Sequence, residues 1–379
     1  MEVFVSIKKL IEAMKFSTTI ANTNNANALL LGVLIEVNEN KITFKTTNNQ
    51  VSGYKEISDG FEYFSSGKIL VTAKILLGLI SKLKDKSVLL KQVDTNILLI
   101  KTENFETQIN TMNIESFPSL NFSLEDYVKI SLPHQIMQEI NAKVLPNVLN
   151  SQGIEKIQPI SGVLIDTETL DNQLIAIGTD KIKASCLTKP YLGEKFKFII
   201  SYSTMKLIME VLRNVEYSNN QIVDFYVRNK SLVFKVNDAI LQTRMIDGVY
   251  PNVYSIFNET NEEKNYVFDR RLLIEIIERG MNIVMQEQNP KISIKIENNE
   301  AEISLTTFEI GNMKEKMPII NLSNANVEFI VNPSLLAHVL KNFENNDVTF
   351  KVKDEILRPI IFIDAKDLGF KQILSRIKN

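Results

Sequence analysis

Two histidines, His134 and His338, and a single cysteine, Cys186, are the whole imidazole and thiol inventory of this 379-residue chain. The histidines lie far apart in sequence, each at or near a predicted helix start. One cysteine closes neither an internal disulfide nor a thiolate metal cage, and it suits a reducing compartment. The patterns HExxH, CxxC, GxSxG and GxxxxGKS/T do not occur, so the usual signatures of zinc hydrolysis, dithiol chemistry, a nucleophile elbow and a phosphate loop are missing. Gly280 and Gly311 stand alone and build no phosphate cradle. Carboxylates at Glu262-Glu263, and at Glu300 beside Asn299, sit in hydrophilic, turn-like stretches where a solvated turn outweighs a general acid–base pair. These residue types predict no catalytic centre, no metal and no cofactor. They predict a binding protein.

Composition bounds what such a protein can be. An apolar share of 44% and a charged share of 23% are those of a soluble globular chain. The longest apolar run, residues 28–35, falls far short of the ~20 residues a membrane-spanning helix needs. The opening MEVFVSIKKLIEAMK has the alternation of an amphipathic helix and lacks the solid apolar core of a secretory signal. A formal net charge of −2 gives no bulk attraction to polyanions or membranes. The expectation is a soluble, cytoplasmic chain with no membrane contact. At roughly 150 residues per domain, two to three domains are expected.

One segment type recurs: a short strand-like entry, a polar residue, then an amphipathic helix. Its six instances begin near Val3, Leu70, Val128, Phe198, Tyr266 and Phe329. Ser6, Ser131, Asp269 and Asn332 are capping types, and Pro133 and Pro333 stand where an early helical proline is tolerated. Each helix is followed by alternating apolar and polar runs such as GVLIEVNENKITFKTT and DFYVRNKSLVFKVNDAILQTRMI. Turn chemistry at 94–96, 228–230 and 237–238 makes these antiparallel hairpins with one buried face. Six units of helix plus about four strands pair into three α+β domains, 1–126, 127–256 and 257–379. The joints fall in the polar, irregular stretches 113–126 and 252–265.

Charge sits unevenly on these helices. The second has an apolar stripe of Ile75, Leu76, Leu79, Ile80 and Leu83, with Lys74, Gly78, Ser81 and Lys82 opposite. In the fourth, Met205, Ile208, Met209 and Leu212 form the stripe, with Lys206 and Arg213 off it. The fifth offers Arg270, Arg271 and Arg279, and single lysines mark the others at Lys8, Lys15, Lys143 and Lys341. Any one of these cations is an ordinary solvated side chain, but their presence on every helix suits a surface that meets phosphates and reads no bases.

Four segments, LLLGVLIEV (29–37), FPSL (117–120), SGVLIDTETLDNQLIAIGTDKIKAS (161–185) and RMIDGVYPNVYSI (244–256), resemble in order and spacing the bacterial DNA polymerase III beta subunits, the DNA sliding clamps. Asp247-Gly248 followed by Tyr250-Pro251 is the most specific part. The resemblance covers essentially the whole chain. It implies a non-enzymatic processivity factor for DNA replication: three tandem clamp-type domains, each with two helices on antiparallel sheets. A homodimer would join head to tail as a ring around duplex DNA. The implied partners are DNA of any sequence, a replicative polymerase catalytic subunit, a clamp loader and other clamp-binding-motif proteins.

The resemblance also distributes site residues. Lys74, Lys82, Lys206, Arg213, Arg270 and Arg271 would face DNA. An edge strand with Phe105 and Ile109 would meet Met281, Ile283 and Val284 of a second copy. A cleft for partner peptides would use Ile160, Thr179, Lys181, Ile182, Lys183, Ala184, Pro251, Ser255 and Ile256 with Ile373, Leu374, Ser375 and Arg376. Its apolar walls would be Ile160, Ile182, Pro251, Ile256 and Leu374, ringed by Lys181, Lys183 and Arg376. This chain departs from the family's usual pattern at Lys181 and Lys183, and its tail reads ILSRIKN without the usual proline. Asn24, in the Asn-rich stretch 22–27, stands where an arginine is common. A hydrolase assembled from scattered carboxylates and a ligand-binding α+β repeat protein are the competing readings. The lack of acids inside apolar strands speaks against the first.

Overall fold

The computed structural model describes residues 1–21, 27–149, 158–213, 222–257, 263–284, 287–307, 310–355 and 358–378. They form two compact units, one of residues 1–137 with 203–245, the other of 138–202 with 246–379. Both are mixed α and β with antiparallel sheets, so the α+β expectation holds. Helices α1 (Ile7–Ala21), α2 (Ala73–Ile80), α3 (His134–Glu139), α4 (Tyr202–Arg213), α5 (Arg270–Val284) and α6 (Pro333–Lys341) start where the repeat places them.

The first unit holds an eight-stranded sheet, ordered Val128–Pro133, Ile222–Arg228, Ser231–Val236, Ala239–Arg244, Val51–Ile57, Ile42–Thr47, Gly32–Val37 and Gly67–Thr72. A five-stranded sheet runs Phe61–Ser65, Glu2–Ser6, Ser87–Asp94, Ile97–Lys101 and Glu106–Asn110. The alternation in the sequence accounts for both: Val3, Val5, Val88, Leu90, Leu98 and Ile100 turn inward onto Leu10, Met14, Leu76 and Ile80 of α1 and α2. Full burial of such side chains stabilises by about 1.5–3 kcal/mol each before the entropy cost is set against it. Two-residue hairpins close at the predicted turns, with Asn229 and Asn237 in the left-handed region at φ 50° and 49°, a conformation asparagine tolerates better than most residues.

The second unit is built around a nine-stranded sheet, ordered Lys197–Ser201, Gly162–Asp166, Gln173–Thr179, Lys183–Pro190, Asp367–Leu374, Ile360–Asp364, Asp347–Val352, Lys264–Asp269 and Ile320–Asn321. A four-stranded sheet of Asn312–Pro318, Glu300–Thr306, Ile292–Glu297 and Val327–Val331 accompanies it. Asp269 and Asn332 cap their helices, accepting from the backbone N–H of Leu272 at 2.9 Å and Leu335 at 3.1 Å.

Several local expectations fail. Ser131 caps nothing, because it lies inside a strand and its hydroxyl donates to Asp224 at 2.8 Å. Pro133 ends that strand instead of opening the helix. The third helix gives way after Glu139 to a π turn, Ile140–Val144, and a 3-10 turn, Leu145–Asn147. Ile75 is 54% exposed, while Ala73, Leu76 and Ile80 form the buried stripe. His338 lies well inside α6 and not at its start.

Candidate functional site

Lys74 and Lys206 project from the exposed faces of α2 and α4, Lys82 follows α2, and Arg213 ends α4. Lys74, Lys82 and Arg213 have no ion pair among the described residues. The fifth helix differs. Arg271 is exposed, but the Arg270 guanidinium donates to the Asn345 carbonyl at 2.8 Å and the Glu344 carbonyl at 3.4 Å. Arg270 is therefore a tie to the segment after α6 and not a free cation. Lys143 is also withdrawn from any helix-face surface: it is buried and bonded to Asp367 at 2.9 Å and Glu344 at 3.2 Å. Burial alone would lower its pKa, and the two carboxylates outweigh that and raise it. Asn24 falls outside the described residues.

Strand Glu106–Asn110 is an edge of its sheet, with Phe105 and Ile109 half-buried against the core of the first unit. On α5, Met281 and Ile283 are half-buried, whereas Val284 is 4% exposed and belongs to its own core. An edge strand leaves a row of backbone donors and acceptors open to pairing.

The cleft residues gather within the second unit. Strand pairing sets Lys183 opposite Leu374 and Ala184 opposite Ile373, and Ser375 N–H donates to the Ile182 carbonyl at 2.9 Å. The Leu149 N–H is shared between the carbonyls of Ile160 and Thr179, at 3.1 and 3.2 Å. Segment 250–257 packs against the same cluster through Tyr250, Val253 and Phe257. The buried Tyr250 hydroxyl donates to the Ile177 carbonyl at 3.2 Å, and burial pushes its pKa up. Gly248 has φ 124°, and a Cβ there would meet Pro159 at 2.9 Å, which is why Asp247-Gly248 precedes the tyrosine.

The outer lip of this cluster is Ile182, 52% exposed, and Ile256, 37% exposed, with Pro251, Ser255 and Lys181 also exposed. Three cleft expectations need correction. Ile160 and Leu374 are core residues, 4% and 0% exposed, and present no open wall. Lys183 is 7% exposed, with its ammonium on the Pro146 carbonyl at 3.0 Å and Asp180 at 3.1 Å, so it rings nothing. Arg376 turns back to the carbonyls of Arg358 and Glu355, and burial holds its pKa below the ordinary value. Lys181 alone of the three stays at the rim.

Two further residues differ from what their local sequence suggests. Glu263 is 8% exposed, with Lys351 and Lys353 each at 4.0 Å, and is no solvated turn; its neighbour Glu262 lies outside the described residues. Gln372, fully buried, accepts from Asn147 at 3.2 Å and Asn342 at 3.0 Å and donates to the Val339 carbonyl at 2.7 Å. Nothing local in the sequence signals that network, because its members are brought together only by the fold. Among the described residues no group of three or more His, Cys, Asp or Glu could hold a metal ion, and no helix is long and apolar enough to cross a membrane.

The described residues thus combine antiparallel sheets with cations borne on helices and an exposed apolar lip at Ile182 and Ile256. Residues 1–121 match the family model for the DNA polymerase III beta subunit, N-terminal domain. The chain is similar to the beta sliding clamp of Rickettsia bellii, with 24% identity over 361 residues and 91% of each chain covered. It is also similar to that of Mycoplasma capricolum, with 23% identity and 96% of each covered. Among solved structures, the DNA polymerase III beta chain of Streptococcus pneumoniae TIGR4 superposes with a TM-score of 0.90 at 18% identity, covering 100% of both chains. The Bacillus subtilis DNA polymerase sliding clamp gives 0.89 at 16% identity, covering 100% of this chain and 99% of that one. These likenesses set the chain beside the DNA polymerase III beta subunits along nearly its whole length, with residues 1–121 matching that family's N-terminal domain.

Proposed function

We propose that this chain is a DNA sliding clamp, a non-catalytic processivity factor whose two copies close into a ring around duplex DNA. The observation that carries this reading is likeness to beta sliding clamps along 91% and 96% of the chain and of each relative. A division into clamp domains 1–126, 127–256 and 257–379 fits the placement of two helices in each third. In this reading Lys74, Lys82, Lys206, Arg213 and Arg271 attract the phosphate backbone weakly and without regard to sequence, so the ring slides. The edge strand with Phe105 and Ile109 meets Met281 and Ile283 of a second copy. The lip of Ile182, Pro251 and Ile256 takes the apolar anchors of polymerase, clamp-loader and other partner peptides in the cytoplasm. Tethering then raises the local concentration of polymerase at its template without tight DNA contact.

The test is retention on DNA. Sedimentation should give twice the 43.2 kDa chain mass. Protein loaded by a clamp loader onto nicked circular DNA should stay bound through gel filtration and run off after linearisation. A monomer in sedimentation, or equal retention on linear and circular DNA, would overturn the proposal.

A further inference from the structure

At one end of the eight-stranded sheet, turns 48–50 and 229–230 and the end of strand Ala239–Arg244 enclose an open depression of about 800 Å³. Every lining residue carries a polar side chain, with three cations, Arg228, Lys230 and Arg244, and among the described residues no carboxylate lines it. Two other depressions in the same unit mix signs, one through Lys45, Glu56, Lys235 and Asp238, the other through Glu2, Glu62, Lys84 and Lys101. In a chain with net charge −2, a hollow with three cations in its lining and a single exposed acid, Asp126, at its margin is a local feature of the fold and not of the composition.

The floor is already fixed. Tyr127 Oη donates to Ser231 Oγ at 2.9 Å, and the Lys230 carbonyl accepts from Met245 N–H at 2.8 Å. Thr243, nearly buried, donates to the Gln50 carbonyl at 3.3 Å and lies 3.3 Å from Thr204 Oγ1. Its groups are thus held by one another, which lowers the ordering cost of a ligand. Among the described residues Arg228 is held by an exposed contact to Asp126 at 3.5 Å and by the Glu125 carbonyl. Arg244 is exposed and has no ion pair among the described residues. Thr204 belongs to the first turn of α4, so the floor is tied through Thr243 to the helix that bears Lys206 and Arg213.

We infer that this hollow binds the phosphodiester backbone of nucleic acid, with the guanidinium groups of Arg228 and Arg244 as the phosphate ligands. Guanidinium forks match phosphate oxygens in pairs, and a floor of amides and hydroxyls supplies neutral donors around them. Among the described residues no aliphatic side chain lines it to seat a peptide anchor, in contrast to the lip at Ile182 and Ile256. Such contacts fix position and read no bases. The inference extends the sliding-clamp reading to a site off the helix faces, and the reading supplies the reason nucleic acid is near.

The experiment is anisotropy of a short labelled oligonucleotide, single-stranded or duplex, against the full-length protein across a salt series. Arg228→Ala with Arg244→Ala should weaken binding at low salt by about tenfold or more and reduce the salt-dependence slope by about 2. The single- and double-stranded arms show which form fills the hollow. Unchanged affinity and slope would overturn the inference, as would a poly-glutamate peptide that displaces the oligonucleotide at equal charge concentration. Retention of the unmodified protein on circular DNA is measured in parallel. Its failure sinks the clamp reading while the oligonucleotide comparison still reports on the hollow.

Discussion

The pairing of Ala239–Arg244 with Val51–Ile57 and that of Lys183–Pro190 with Asp367–Leu374 do the same job in the two units, each joining remote stretches of chain into one long sheet. The first seam sets Leu241 opposite Gly53, where a Cβ would lie 2.1 Å from Ile20 Cδ1, so α1 packs directly on the backbone. It ends in the polar hollow with Arg228 and Arg244. The second seam is backed by a polar cluster of the buried Gln372 and Asn147 with the half-buried Asn342. It ends in the apolar lip of Ile182 and Ile256. Equivalent joins thus carry opposite surface chemistry: charge where sheet ends converge on turns, apolar surface where segment 250–257 folds over the strand. The sheet supplies rigidity in both, and the added loop decides the chemistry of the surface beside it.

The largest test of this comparison is Leu374→Ala. Its side chain is fully buried in the second seam, so truncation should cost about 2–5 kcal/mol of unfolding free energy. Denaturant titration checks this. A loss under 1 kcal/mol would contradict the place given to Leu374 in the core.

Replacing Gln372 with leucine should cost about 1–3 kcal/mol, because the side-chain amides of Asn147 and Asn342 lose an acceptor inside the protein. Calorimetry should show a lower melting midpoint, and a more stable protein would refute the role assigned to the cluster.

For the lip, Ile182→Asp with Ile256→Asp should weaken a polymerase-derived peptide about thirtyfold, ~2 kcal/mol. As both side chains are exposed, the melting midpoint should stay close to that of the parent. Peptide titration with unchanged affinity would move the site elsewhere. At the first seam, Lys55 pairs with Asp238 at 2.8 Å in a partly exposed position, and Lys55→Ala should cost under about 1 kcal/mol.

The smallest expected signal comes from Cys186, buried in the second seam. Burial pushes its thiol up to about 12 from 9.0. A folded value above the unfolded one means the stabilisation is present below pH 9 and is lost as pH rises toward 12. At pH 8 the native protein should not react with an aromatic disulfide reagent and should react once unfolded. Rapid native labelling would show that the seam opens.

The sequence by itself determined the elements. Periods of 3.6 and 2 residues, the caps at Asp269 and Asn332, and asparagines able to turn left-handed are local properties, and they survive in the fold because each acts within a few residues. The family motif also led to the surroundings of Ile182, Pro251 and Ile256. Local pattern could not tell an exposed cation from a committed one. Lys143, Lys183 and Arg270 read like Lys74, yet partners far away in sequence, or a carbonyl on a neighbouring segment, claim them. Nor could it say which strand edges join. Lys55 and Asp238 are 183 residues apart, and every alternating strand offers the same backbone ladder. Only the packing of α1 on Gly53, and of segment 250–257 on the second sheet, selects one partner among many, because that choice rests on the close fit of surfaces that no single stretch of sequence contains.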